Sequence, residues 1–259
     1  MDVVREGRAE GISARRLGER VAARSATIWR TPHQRRLLVA LASASLAALA
    51  FAHIAEDYVT NDPLARWDVQ FARWLAGERS PAGADGFSVV TFFGSPAVVL
   101  AISSVVFVIL YRRRLLVQAT LLPLVLGGAE LLNLILKGSF HRTRPDVAFV
   151  QIDTYSFPSG HAMISAAAYG ALAYLAWPQL RTHRRRALLV SATAFAVALI
   201  GFSRLYLGVH YLSDVLAGVA GGVFWLSLSI ALHSFYGDRF AAWFSGSRAD
   251  RLGRRLTRS

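Results

Sequence analysis

Three short groups of charged and hydroxyl residues interrupt an otherwise apolar sequence, and their composition favours chemistry on a phosphate group. Residues 137–145 read Lys-Gly-Ser-Phe-His-Arg-Thr-Arg-Pro, residues 158–161 read Pro-Ser-Gly-His, and residues 203–214 contain Ser-Arg followed by a histidine and an aspartate. The long stretches that flank these groups are predominantly apolar: the first group follows one, the second precedes one, and the third lies between two.

Cations and a helix start would together bind an anion. Lys137, Arg144 and Arg204 supply three positive charges, the lysine as a point charge and each arginine as a fork that grips two oxygens. Ser159 and Gly160 lie where a helix is predicted to begin. Free N–H groups and the positive end of the helix dipole favour an anion there, and glycine lets the backbone approach closely.

Two histidines and one aspartate supply a nucleophile, its orienting group and an acid. His210 and Asp214 are four residues apart, so on a helix they share a face with Cβ atoms ~6 Å apart. Asp214 would hold one imidazole nitrogen and leave the other free to attack. His161 would then protonate the leaving oxygen and later activate water. His141 and Arg142 are interpreted as solvated loop residues outside the site.

The elements that position these residues are predicted to be membrane-spanning helices. The 259-residue chain is 54% hydrophobic with mean hydropathy +0.39, and 17% of its residues are charged. A soluble domain carries about 25% charged residues. A bilayer core of ~30 Å needs ~20 helical residues, and only helices satisfy the backbone of such a segment. Six stretches qualify, so the predicted fold is an all-α bundle of six transmembrane helices at residues 37–55, 95–111, 115–136, 162–179, 187–203 and 214–235.

The distribution of basic residues predicts the orientation. Twenty-two of the 29 Lys and Arg residues fall in the termini and in two short connections on the same side. By the positive-inside rule both termini are cytoplasmic, and the three polar groups face the outside of the plasma membrane. This clustering also argues against nucleic acid as the partner of a chain with net charge +13. The chain is predicted to consist of a basic segment at 1–36, a membrane domain at 37–236 and a basic tail at 237–259. The basic segment at 1–36, or basic leader, is expected to be attracted to anionic lipid head groups.

The outer segment 56–94 contains one further predicted helix. Asp62 is suited to cap it, Pro63 to begin it and Gly77 to end it. An aromatic and aliphatic face then indicates an interfacial helix, which either anchors in the head-group region or guides a lipid tail. The residues of that face are Leu64, Trp67, Phe71 and Trp74.

Glu130 lies inside the third predicted span, where an ionisable side chain usually has a partner. It stands seven residues before Lys137 and therefore on nearly the same helix face. One hypothesis is that Glu130 steadies a motif cation. The other is a polar contact between helices, with Asn133 as its neighbour.

The three groups read K-x6-R-P, P-S-G-H and S-R-x5-H-x3-D, and together they resemble the signature of the type 2 phosphatidic acid phosphatase (PAP2) superfamily over residues 90–235. The resemblance implies a six-helix membrane bundle. It also implies that His161 is the general acid, that His210 is the nucleophile forming a phosphohistidine, and that Asp214 orients it. The phosphate ligands it implies are Lys137, Arg144, Ser159, Gly160 and Arg204. No metal or other cofactor is expected, because the protein's cations neutralise the phosphate and the outer motifs hold too few carboxylates for a two-metal site.

The expected partner is a lipid phosphate or diphosphate held at the bilayer surface. Undecaprenyl diphosphate, hydrolysed to undecaprenyl phosphate, is the first candidate, and phosphatidic acid or phosphatidylglycerol phosphate is the alternative. The same residues would serve a lipid phosphotransferase. A transporter or a non-catalytic scaffold is disfavoured because His210, Asp214 and the phosphate ligands are all present.

Overall fold

The computed structural model describes residues 32–60, 63–150 and 152–256, with side chains at 33–60, 63, 66–150 and 152–237. The predicted basic leader up to residue 31 and the predicted cap Asp62 lie outside these residues. Eight α-helices form the described chain: α1 Pro32–Thr60, α2 Pro63–Gly77, α3 Pro81–Phe92, α4 Pro96–Arg112, α5 Leu116–Phe140, α6 Gly160–Ala176, α7 His183–Tyr206 and α8 Leu212–Leu256.

The six predicted spans each overlap one of the helices α1 and α4–α8. Among the described residues, α1, α5, α7 and the part of α8 up to Gly237 are long and apolar enough to cross a bilayer. Helices α3 and α4 meet at a bend of 41°, and they make a fifth span if the bent pair crosses the bilayer as one unit. Helix α6 has 17 residues, which corresponds to about 26 Å. The all-α membrane bundle predicted from the sequence is therefore confirmed.

Hydroxyl caps and prolines explain where several helices begin. The Ser80 hydroxyl accepts from the N–H of Gly83 at 3.1 Å, and Pro81 occupies the first helical position of α3. Ser95 and Pro96 start α4 in the same way. Such a cap satisfies an otherwise orphaned N–H, and proline at the first position loses no helical hydrogen bond. The sequence interpretation missed α3, although Ser80-Pro81 was a readable signal for it.

Helix α6 lies in the middle of the bundle and contacts α4, α5, α7 and α8. Its residues 162–168 are all buried. Glycines on α8 allow the close approach: a Cβ added at Gly218 would lie 2.5 Å from the Ser159 carbonyl oxygen, and one at Gly222 would lie 2.3 Å from that of Met163. Small residues at a membrane helix interface have this effect. The start of α6 is therefore held against the start of α8.

Two turns bring the polar groups to one end of the bundle. Helix α5 ends at Phe140, and His141 adopts a left-handed conformation with φ 49° that redirects the chain. Helix α7 ends at Tyr206, and Gly208 with φ 67° makes the tight turn that leads to His210. A Cβ at Gly208 would lie 2.6 Å from the Val147 carbonyl oxygen, so glycine is required there for space as well as for conformation.

The last helix extends beyond its predicted span. Residues 214–235 were expected to cross the membrane, and α8 continues in one piece to Leu256. The predicted tail therefore begins as a continuation of the last helix.

Candidate active site

His210 lies between a carboxylate and a guanidinium. Its Nδ1 is 3.4 Å from Oδ2 of Asp214, and its Nε2 is 3.3 Å from Nη1 of Arg144. An arginine can only donate, so Nε2 must carry the lone pair and Nδ1 the proton. The geometry therefore selects the tautomer in which Asp214 accepts the Nδ1 proton and Nε2 is nucleophilic.

The surroundings of His210 keep its imidazole neutral. The residue is buried, and burial lowers its pKa well below the ordinary value of 6.5. The positive charges of Arg204 and Arg144, and then that of Lys137, lower this pKa further. A neutral imidazole retains the lone pair that attack on phosphorus requires.

Arg144 is fixed by the loop that leads to α6. Its Nε donates to the Thr154 carbonyl at 2.8 Å, its Nη2 to the Thr154 hydroxyl at 2.9 Å, and its Nη1 to the Val209 carbonyl at 2.6 Å. These bonds leave little rotational freedom to the guanidinium. Arg144 is therefore held beside the nucleophilic nitrogen of His210.

The other two predicted cations differ in depth. Arg204, in the last turn of α7, is buried, and its Nη1 donates to the hydroxyl of Thr91 at 2.8 Å. Nothing in the sequence pointed to Thr91, which belongs to the unpredicted helix α3. Lys137 is half-buried near the end of α5 and donates to the carbonyl of Tyr155. Arg204 is therefore the more buried of the two cations, and Lys137 is the more accessible one.

The Pro-Ser-Gly-His segment is attached to the first turn of α8. The backbone N–H of Ser159 donates to the Asp214 carbonyl at 2.9 Å. Gly160 begins α6, and a Cβ there would lie 2.9 Å from Nδ2 of Asn133, so α5 also packs closely at this point. His161 follows in the first turn, half-buried, and interacts electrostatically with Arg204 and His210.

Two donors at the site are buried without a partner among the described residues. They are the hydroxyl of Ser159 and the Nε of Arg204. Buried donors usually have an acceptor, and these two belong to residues predicted to bind phosphate. An anion seated between them would satisfy both.

No three His, Asp or Glu side chains in the described ranges are close enough together to hold a metal ion. Of the site carboxylates, Asp214 is bound by Arg142 at 2.7 Å and by the N–H of Tyr211 at 2.9 Å. The charged side chains around His210 are mainly cations, whereas a metal centre would need several carboxylate or histidine ligands. The site is therefore suited to direct binding of an anion.

The interpretation of Arg142 as a solvated loop residue is wrong. Arg142 is 6% exposed and forms ion pairs with Asp214 and with Asp68 of α2. The φ of 49° at His141 turns the chain so that Arg142 enters the protein, and the sequence contains no clear signal of that turn. His141 itself is exposed, as predicted.

Helix α2 begins at Pro63 and ends at Gly77, as predicted. Its aromatic residues Trp67 and Trp74 are 67% and 59% exposed, which fits an interfacial face. The side chain of Leu64 lies outside the described residues. The adjoining side of the helix buries Asp68, whose part in the site the sequence interpretation missed.

Within the described part of the chain, Glu130 forms no hydrogen bond with a motif cation. Its Oε2 is buried without a partner among the described residues, as is Oδ1 of Asn133. Its charge does interact with that of Lys137. The hypothesis that Glu130 supports Lys137 therefore rests on charge and stays a prediction.

Comparisons with known proteins agree with the fold and identify the family. The sequence model of the PAP2 superfamily matches residues 118–238. Phosphatidylglycerophosphatase B of Bacillus subtilis is 34% identical over 138 residues, which make up 52% of this chain and 67% of that protein. Lipid A 1-phosphatase of Rhizobium johnstonii is 36% identical over 113 residues, which make up 39% of this chain and 42% of that protein.

A solved structure shares the architecture. The crystal structure of the transmembrane PAP2-type phosphatidylglycerolphosphate phosphatase from Bacillus subtilis matches with a TM-score of 0.68 and 28% identity, covering 72% of this chain and 94% of that one. The chain belongs to the PAP2 superfamily. It is a multi-pass membrane protein and a PAP2-type phosphatase, a hydrolase of lipid phosphate esters.

Proposed function

We propose that this enzyme removes the terminal phosphate of phosphatidylglycerol phosphate at the outer face of the plasma membrane, through a phosphohistidine on His210. The observation that carries the mechanism is the position of the His210 Nε2 lone pair, 3.3 Å from the Arg144 guanidinium. The substrate is supported by the curated relative and by the solved structure from Bacillus subtilis, both of which are named for this lipid.

In the first half-reaction, Nε2 of His210 attacks phosphorus and the bond from phosphorus to the lipid oxygen breaks. His161 enters this step as an imidazolium and gives its proton to that oxygen, so the lipid alcohol leaves neutral and His161 becomes neutral. Asp214 holds the Nδ1 proton and stabilises the positive charge that develops on the imidazole. The cations Lys137 and Arg204 neutralise the phosphoryl oxygens.

In the second half-reaction, water attacks the phosphohistidine. His161, now neutral, takes a proton from the water, the bond between phosphorus and Nε2 breaks, and inorganic phosphate leaves. The enzyme returns to its starting protonation state. The cations of the site carry the charge of both transition states, so the proposed reaction requires no metal.

Undecaprenyl diphosphate is the second candidate substrate. The observation that favours it is the difference in burial between the two cations: Arg204 is buried, whereas Lys137 is half-buried. A lipid diphosphate has a second phosphate that Lys137 would contact while Arg204 holds the first. With undecaprenyl diphosphate as its substrate, the enzyme would release one phosphate and produce undecaprenyl phosphate.

The orientation of the enzyme is part of the proposal. The cluster of basic residues at the opposite end of the helices supports cytoplasmic termini and an outward-facing site. A cysteine introduced at the exposed position His141 would then react with an impermeant maleimide in intact cells. Reaction only after cell lysis would contradict this orientation.

The test of the substrate is phosphate release by the purified enzyme in detergent. Phosphatidylglycerol phosphate, undecaprenyl diphosphate and phosphatidic acid would be compared at equal surface concentration with EDTA present. The matched control for His210→Ala is His53→Ala, which removes an exposed histidine of α1. EDTA-resistant release, fastest from phosphatidylglycerol phosphate and abolished only in His210→Ala, is expected. Faster release from the diphosphate would select the second candidate, and release that requires a metal would contradict the mechanism.

A further inference from the structure

A buried arginine links the orienting carboxylate of the site to the interfacial helix α2. We propose that Arg142 and Asp68 are positioning residues: they hold the carboxylate of Asp214 in the orientation from which it keeps the Nδ1 proton of His210. The inference rests on the proposed function of His210 as nucleophile. It assigns a catalytic purpose to α2, which carries none of the signature residues.

The guanidinium of Arg142 divides its donors between the two carboxylates. Its Nη1 donates to Oδ1 of Asp214 at 2.7 Å, and its Nη2 donates to Oδ2 of Asp68 at 2.8 Å. The rings of Tyr58 and Tyr211 lie 4.7 and 4.2 Å from its central carbon. Hydrogen bonds at the fork and aromatic rings beside it fix the orientation of the guanidinium.

Asp68 in turn holds the first turn of α8. Its Oδ1 accepts from the backbone N–H of Ser213 at 3.0 Å, and its Oδ2 accepts from the Ser213 hydroxyl. The first N–H groups of a helix have no partner within the helix, so a carboxylate from another element satisfies one here and also favours the positive dipole end. Because Ser213 precedes Asp214, this contact fixes the backbone that carries the orienting carboxylate.

The two oxygens of Asp214 consequently have separate tasks. Oδ1 is bound by Arg142, whereas Oδ2 accepts from the N–H of Tyr211 at 2.9 Å and faces Nδ1 of His210. Because Oδ1 is held, the carboxylate cannot rotate about its Cβ–Cγ bond without breaking the ion pair with Arg142. Oδ2 therefore stays directed at the imidazole.

Arg142 is not arranged to bind the substrate. It is buried, and both terminal nitrogens are already engaged by carboxylates, Nη1 also by the hydroxyl of Ser213 at 2.6 Å. Burial by itself lowers the pKa of Arg142, but the charges of Asp214 and Asp68 outweigh this effect and raise the pKa above its ordinary value. The guanidinium therefore remains a cation that serves Asp214 and not the phosphate.

The experiment combines single variants with a charge-balanced double variant. Arg142→Leu leaves two buried carboxylates without their counter-charge, and it is expected to lower stability as well as turnover. Asp68→Asn combined with Arg142→Leu restores the net charge of the cluster. Arg73→Leu is the matched control. Like the Arg142–Asp68 pair, the Arg73–Asp146 pair joins α2 to the loop after α5, with a distance of 3.2 Å, but both of its side chains are mostly exposed.

We expect kcat on phosphatidylglycerol phosphate to fall at least tenfold in Asp68→Asn, in Arg142→Leu and in the double variant, with KM within threefold of the wild-type value. The double variant should regain thermal stability relative to Arg142→Leu without regaining kcat. Arg73→Leu should keep both constants. Wild-type kcat in the double variant would show that Arg142 and Asp68 have only a structural role. A tenfold rise in KM at unchanged kcat would show that Arg142 binds the substrate.

A spectroscopic readout separates this inference from the proposed function. The ring Nδ1 proton of His210 should give a low-field proton NMR resonance, assigned by its loss in His210→Ala. It should shift or disappear in Arg142→Leu and in the double variant, and it should persist in Arg73→Leu. An unchanged resonance in both Arg142 variants would overturn the inference whatever the substrate proves to be. Full activity in His210→Ala would instead overturn the proposed function.

Discussion

Gly218 is the position where one added methyl group should damage the site through packing alone. A Cβ at Gly218 would lie 2.5 Å from the Ser159 carbonyl oxygen, whereas ordinary contacts begin at 3.4 Å. The start of α6 and the start of α8 must therefore separate by about 1 Å in Gly218→Ala, because the obstructing atom is backbone in a closely packed interior. The displaced residue is Ser159, the proposed phosphate ligand whose N–H is bonded to the Asp214 carbonyl.

The cost has two parts. Overpacking a tight interface costs about 1–3 kcal/mol, while alanine gains about 1 kcal/mol over glycine in a helix, so the net loss of stability is at most about 2 kcal/mol. A misplacement of about 1 Å at a reacting group lowers the rate by up to about 10²-fold. We therefore expect Gly218→Ala to fold with a slightly lower Tm and to lose between tenfold and a hundredfold in kcat.

The assay is thermal unfolding in detergent together with steady-state phosphate release. Gly222→Ala is the informative comparison: its Cβ would meet the Met163 carbonyl at 2.3 Å, one turn farther from the site. It should lose similar stability but less kcat. Gly127→Ala on α5, with no atom within 4 Å of the added Cβ, should be neutral or slightly stabilising. Wild-type kcat and Tm in Gly218→Ala would refute the packing argument.

Three further outcomes follow from the charges of the site. Burial and nearby cations lower the pKa of His210 well below 6.5, so the loss of kcat/KM that comes from protonation of its Nε2 should have a midpoint well below pH 6.5; an acid limb with its midpoint at 6.5 would contradict this. Arg144→Lys removes the fork that reaches His210, Thr154 and Val209, so kcat should fall about 10²-fold even though the charge is kept. Glu130→Gln should lower turnover at an unchanged Tm if its charge supports Lys137, and the hypothesis is dropped if neither changes.

The spans and the signature residues could be predicted because their signals are local. A long apolar run has few structural solutions in a bilayer, and the helix ends at Pro63 and Gly77 follow from backbone chemistry. The prediction that Asp214 faces His210 also holds, with Oδ2 and Nδ1 3.4 Å apart, although His210 lies in the turn before α8 and not on the helix. In each case the relevant residues are close together in sequence.

The contacts that were missed join residues far apart in the chain. Arg142 and Asp68 are 74 positions apart, and Arg204 and Thr91 are 113 apart. Arg142 looked solvated because it follows a helix end in a polar loop, and only the left-handed turn at His141 brings it inside. Asp68 looked like one charge on an amphipathic helix. Tertiary packing determines the positions of Arg142 and Asp68, and a single sequence contains no signal of that packing.

The most direct test of the central claim is to identify the phosphorylated residue during turnover. Phosphatidylglycerol phosphate labelled in its terminal phosphate would be mixed with the enzyme and quenched within milliseconds under alkaline conditions, which preserve a phosphorus–nitrogen bond. Peptide mapping would then locate the label. The account predicts labelled His210 in the wild type and no labelled protein in His210→Ala. Label on another residue, or turnover that persists in His210→Ala, would contradict it.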